Sequence, residues 1–180
     1  MKQPPGPGEV VLGGVDWGRW SVILLKPDCV RRGLTEAVLD RIRREVPVLA
    51  QRQMVVEDWQ IFVHYWDMLV NKDWFTDRDM VACLRSNYVG EEVVVALAHG
   101  SEGIDTSAVV RSLLGHFDPA QAAPGTIRAD FGIDALHLAG PQGRLVENLV
   151  HASDDATATC RDFGTWYGAN EWSLLDLGGQ

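Results

Sequence analysis

Lysine is nearly absent from this chain of 180 residues: Lys2, Lys26 and Lys72 are the only three, and the other basic residues are arginines. Sixteen basic residues face 25 acidic ones, for a net charge of −9. So acidic a chain does not suit nucleic acid as its main partner, because phosphate backbones are held by basic faces. It can still hold a small anion where a few cations converge in one cleft. Cys29, Cys83 and Cys160 lie far apart with no CxxC pair. That excludes a zinc cage or a disulfide framework and fits reduced thiols in the cytoplasm. No apolar run approaches the roughly 20 residues that cross a bilayer, and MKQPPGPGEV lacks the apolar core of a signal peptide. The expectation is a cytoplasmic protein with no membrane partner. GxxxxGK(S/T), HExxH and GxSxG are all missing, which excludes a P-loop and the commonest metalloprotease and hydrolase sites.

What is present suits one packed domain, with 46% hydrophobic and 23% charged residues. Residues 1–20 are rich in Pro and Gly and read as an extension; 21–180 read as one domain. Trp17 and Trp20 are too apolar for a free tail, so its end is expected to pack on the core or on a neighbouring subunit; with Trp172 they are candidates for subunit contacts. SVILLKP is a short apolar run closed by Pro27, the mark of a buried strand. Thr35 is expected to cap a helix through about Glu45, followed by a strand over Val48 to Val56. Asp58 is expected to cap a helix with Trp59, Phe62, Trp66 and Leu69 at apolar spacing. Further helices are expected around Met80 to Leu84 and Thr106 to Leu114, with the strand EEVVVALAH between them. RLVENLVHA reads as a last strand, and Ser153 or Asp154 as the cap of a final helix. Alternating strands and helices in two short halves predict an α+β, ferredoxin-like antiparallel sheet covered by helices on one face.

The candidates for chemistry are scattered. Lys26 stands at a strand end, Arg111 on a helix, Arg128 after PGTI, and Asn148 and His151 in NLVHASD. A neutral imidazole is a competent nucleophile near pH 7, and planar guanidinium groups suit phosphate oxygens. KPDCVRRG (26–33), PGTIRADF (124–131) and NLVHASDD (148–155), in that order and spacing, resemble three signature blocks of the nucleoside diphosphate kinase family. The similarity covers roughly residues 20 to 172.

The resemblance implies transfer of a terminal phosphoryl group from a nucleoside triphosphate to a diphosphate through a phosphohistidine at His151. It implies Mg²⁺ as cofactor, nucleoside di- and triphosphates as partners, and a homo-oligomer, either a tetramer or a hexamer of dimers. Lys26 and Asn148 would hold sugar hydroxyls near the leaving group, and Arg111 and Arg128 the phosphates. Tyr65 and Ser153 match positions beside the histidine, and Trp74 (or Phe75) matches a ring that stacks the base. Asp162 takes the place of a Glu that orients the histidine, one methylene shorter. Phe117 stands for a phosphate-touching Thr and Ala152 for a Gly. Those departures leave two alternatives open: a relative with narrow or modified nucleotide preference, or a nucleotide-binding protein with little turnover. His64, His99, His116 and His137 are left as surface or packing residues.

Overall fold

The computed structural model describes residues 11–70 and 79–176. A small ribbon of β1 (Val11–Leu12) and β2 (Val15–Asp16) leads through a 3-10 turn into β3 (Trp20–Leu25). Then come α1 (Pro27–Arg31), α2 (Thr35–Arg43), β4 (Val48–Val55), α3 (Asp58–His64), α4 (Trp66–Val70) and α5 (Met80–Tyr88). β5 (Glu92–His99), α6 (Thr106–Leu114), α7 (Ile127–Phe131), α8 (Leu136–Ala139), β6 (Val150–Ala152) and α9 (Ala156–Trp166) complete the order. The main sheet runs β4-β5-β3-β6 with every neighbouring pair antiparallel.

Helices cover both faces of this sheet, where the sequence pointed to one. Ile23, Leu25, Val94, Ala96 and Ala98 pack against Val38, Leu39 and Ile42 of α2 and Val110 of α6. Their alternating neighbours Val22, Leu24, Val93, Val95 and Leu97 pack against Ile61 of α3, Leu84 of α5, and Phe163 and Trp166 of α9. Strands buried on both sides keep no polar face, which is why SVILL and VVVALA are continuous apolar runs. Each such Leu or Val contributes about 1.5–3 kcal/mol of transfer free energy.

Several local expectations are corrected. Leu34, not Thr35, is the N-cap of α2 and makes no side-chain cap bond. Glu57, not Asp58, caps α3, in a reciprocal capping box with Gln60. Asp155 caps α9 by accepting the N–H of Ala158. Trp59 and Trp66 are about half exposed, while Gln60, Ile61 and His64 form the buried face of α3. RLVENLVHA yields only the three-residue β6, because Leu149 adopts a φ of +70° that interrupts extended pairing. Of the two placements expected for Trp17 and Trp20, the structure takes the first: both are buried in the core of their own chain. Trp17 packs on Phe163 at 5.6 Å and on Trp172 at 6.0 Å between ring centres, so only the half-exposed Trp172 of the three keeps an open surface.

Candidate active site

The site forms where β3 and β6 end side by side. Lys26 leaves β3 as the N-cap residue of α1. Pro27 follows in the first helical turn, where its missing N–H costs nothing. The Lys26 Nζ donates to Asn148 Oδ1 at 2.8 Å and to the Val146 carbonyl at 3.2 Å. It also lies 5.7 Å from the centre of the Tyr88 ring. Burial pushes this ammonium down to about 8, partly opposed by Asp28 and reinforced by Arg128.

Asn148 Nδ2 donates to the Phe117 carbonyl at 2.7 Å, so that side chain is fixed from both ends. The next residue, Leu149, sits in the left-handed region, at a cost of about 1 kcal/mol. Its N–H donates to Asp28 Oδ2 at 2.9 Å and its carbonyl accepts from the Lys26 N–H at 2.8 Å. These bonds hold the turn that starts β6 and sets His151 opposite Leu24.

His151 is partly exposed between buried neighbours Val150 and Ala152. Desolvation, then the nearby His64, Arg128, Lys26 and Arg111, push its imidazole well below the ordinary value of 6.5. The ring is therefore neutral at physiological pH, with a lone pair free to attack. The Tyr65 ring lies 5.4 Å from it, and the Tyr65 hydroxyl is 2.9 Å from that of Tyr88. Burial raises the Tyr65 hydroxyl to about 12, so it stays protonated.

The two arginines differ. Arg128, on α7, is buried and donates to the carbonyls of Asn148 at 3.3 Å, Gly115 at 3.0 Å and Val150 at 2.7 Å. Three bonds from one guanidinium tie β6 to the loop after α6. Gly115 has a φ of +80°, and a Cβ there would meet Thr126 at 2.3 Å, so no larger residue fits. Arg111, on α6, is about half exposed and pairs with Asp154. Phe117 is also half exposed, with its ring against His116 at 4.6 Å.

Asp162 is fully buried on α9. It accepts from Ser153 Oγ at 2.7 Å and Arg161 Nε at 3.3 Å, and it lies 3.0 Å from Nδ1 of His64. It meets His64, which the sequence left aside as packing or surface. Thus the structure brings together Lys26, Tyr65, Arg128, Asn148, His151, Ser153 and Asp162, with Arg111 at the rim. Trp74 and Phe75 lie outside the described residues. Sequence reasoning missed His64, Tyr88 and Asp28; adjacency of His64 to Tyr65 was the one signal for the first.

A neutral imidazole on which the buried cations Lys26 and Arg128 act has the chemistry to accept a phosphoryl group and release it again. Comparison with known proteins points the same way. A family model described as nucleoside diphosphate kinase matches residues 20–172. A nucleoside diphosphate kinase of Nocardioides sp. is 33% identical over 148 residues, which cover 82% of this chain and 95% of that protein. One from Chloroflexus aurantiacus is 34% identical over 84% of this chain and 88% of that protein. Among solved structures, a transition-state mimic of the Borrelia burgdorferi enzyme with bound vanadate and ADP superposes with a TM-score of 0.73. It shares 27% identity and covers 84% of this chain and 88% of that one. An NDP kinase from Pyrobaculum aerophilum gives a TM-score of 0.70 at 27% identity, over 85% and 97% of the two chains.

Proposed function

This chain belongs to the nucleoside diphosphate kinase family, enzymes that pass a terminal phosphoryl group between nucleotides, and on that footing we propose that His151 is its phosphoryl carrier. The supporting observation is a neutral, partly exposed imidazole on which Lys26, Arg111 and Arg128 all bear electrostatically. In the first step a His151 ring nitrogen bonds to the terminal phosphorus while the bond to the leaving oxygen breaks, releasing a nucleoside diphosphate. A second diphosphate then takes the group by the reverse displacement, a ping-pong cycle.

Arg128 and Arg111 receive the phosphate oxygens, Arg111 exchanging Asp154 for them. Lys26 and Asn148, already joined at 2.8 Å, hold the sugar hydroxyls beside the leaving oxygen. Tyr65 flanks the histidine, and Ser153 and Asp162 form its polar floor. The base stacks on Trp74 or Phe75, a sequence-tolerant contact because every base has a π face.

Mg²⁺ is proposed to enter chelated by the phosphates, as part of the substrate. Among the described residues, the one group of three side chains close enough for a metal is His64, His151 and Asp162. Two imidazoles and one carboxylate do not suit an ion that demands six oxygens. No described helix is long and apolar enough to cross a membrane; a cytoplasmic location is proposed on the free thiols of Cys29, Cys83 and Cys160. A homo-oligomer, a tetramer or hexamer of dimers, is supported by the exposed Leu49 and Val55 on edge strand β4 and by Trp59 and Trp66 nearby in sequence. The division into a 1–20 extension and a 21–180 domain is proposed with it; the family match from residue 20 supports the boundary.

Intact-mass measurement after ATP and Mg²⁺, followed by peptide mapping, tests the central reading. One added phosphate on His151 is expected, discharged by any diphosphate acceptor and lost in H151A. No phosphoenzyme in the wild type, or phosphate on His64 instead, would overturn it.

A further inference from the structure

Asp162 is completely buried, yet among the described residues its hydrogen bonds stop short of His151. Its Oδ2 accepts from Ser153 Oγ, and its Oδ1 takes Arg161 Nε and lies 3.0 Å from His64 Nδ1. His64, His151 and Asp162 each present a polar atom within 4.8 Å of the others. The carboxylate is therefore near the nucleophile, but its contacts go to Ser153, Arg161 and His64.

His64 occupies the gap. Its ring stands edge-on to that of His151, with centres 4.8 Å apart and planes at 84°. It is buried, and its Nε2 has no hydrogen-bond partner among the described residues. Helix α9 grips the residue at three points: Asp162 and Trp166 Nε1 (3.1 Å) at Nδ1, and Arg161 Nη2 (3.2 Å) at the carbonyl. An indole N–H only donates, so Nδ1 cannot donate to Asp162 and accept from Trp166 together. The carboxylate contact prevails: a bare lone pair would repel that oxygen, whereas N–H to carboxylate is charge-assisted. The proton thus resides on Nδ1, and Nε2 offers a buried lone pair with His151 beside it.

We propose that His64 is a positioning residue that links Asp162 to His151 and fixes the protonation of the nucleophile. The link rests on His151 being the phosphoryl carrier. It keeps the His151 proton on the ring nitrogen nearer His64 and bares the other nitrogen for attack. When that lone pair bonds to phosphorus, the phosphorus–oxygen bond breaks and its electron pair leaves on the nucleoside diphosphate. The ring gains positive charge, and the Asp162 carboxylate, with an oxygen within 4.8 Å of a His151 ring nitrogen, favours that charge. No proton is lost and none is required. A carboxylate orients a catalytic imidazole in other enzymes by the same electrostatics; here a second imidazole stands between them.

The test uses the full-length chain as wild type, H64A and H64A/D162E, each checked for folding by its melting curve. D162E extends the carboxylate by roughly 1.5 Å into the space that H64A opens. Phosphoenzyme formation from ATP and Mg²⁺ is timed by rapid quench and intact mass. H64A should slow it about 100-fold, and H64A/D162E should recover to within about 10-fold of wild type. A wild-type rate in H64A, or no recovery in H64A/D162E, overturns the link, since a packing role alone would not respond to carboxylate length. Should H64A not fold, ¹⁵N NMR of the wild-type histidine rings decides. A proton on His64 Nδ1 with a single His151 tautomer supports the link, and mixed tautomers overturn it. Failure of the wild type to form any phosphoenzyme overturns the carrier reading instead, so the two failures are distinguishable.

Discussion

Lys26 Nζ donates to Asn148 Oδ1 at 2.8 Å, a bond between residues 122 positions apart that clamps the ends of β3 and β6 together. The clamp has a cost, since a buried ammonium is held at about 8 against an ordinary 10.5. Between those values the unfolded chain binds the proton and the native one does not, so stability rises with pH through that window. Below about 8 the full penalty applies, about 3 kcal/mol. Urea unfolding of wild type and K26M, repeated from pH 7 to 10.5, should show the wild type gaining on the variant by about that amount. A constant difference across the range would refute the buried charge.

His151 carries the same consequence at lower pH. Its folded value lies below the ordinary 6.5, so as pH falls through 6.5 the unfolded chain protonates first and native stability declines. NMR titration of the ligand-free protein should find the His151 ring neutral at pH 6. A midpoint at or above 6.5 would contradict its desolvation and its cationic neighbours.

Arg128 joins the site to the fold. R128K keeps the charge, but a point ammonium cannot serve the Asn148, Gly115 and Val150 carbonyls together. Orphaned buried acceptors cost roughly 1–3 kcal/mol each, so a loss of about 2–4 kcal/mol in urea unfolding is expected. Phosphoenzyme formation should slow in parallel because β6 loses its anchor.

The end of the N-terminal extension is part of the core. Trp17 is fully buried against Phe163, so W17A should cost about 3–5 kcal/mol. Removing residues 1–19 should destabilise at least as much by thermal melting. An unchanged melting temperature in either variant would show that the extension does not dock.

Lys26, Arg128, Asn148 and His151 were legible because each lies in a contiguous block of residues. The strands were legible from unbroken apolar runs, although such runs alone do not say that both faces are covered. Cap positions slipped by a residue or two, as with Glu57 for Asp58, since the deciding bond came from Gln60 further along. Beyond its adjacency to Tyr65, His64 gave no signal, because its contacts to Asp162 and Trp166 come from about a hundred residues away. Nothing in the spacing of a lone histidine announces such partners. The last strand was overread because only Leu149's backbone angle, fixed by Asp28 and Lys26, stops it at Val150.

β6 is an edge strand of three residues whose one sheet neighbour is β3, near the opposite end of the chain. β3, β4 and β5 can pair with one another as soon as residue 99 is available. His151 joins this scaffold only after α7, which carries Arg128, has been laid down. During synthesis the growing polypeptide thus acquires Lys26, proposed to hold the sugar, first and His151, the proposed phosphate acceptor, last.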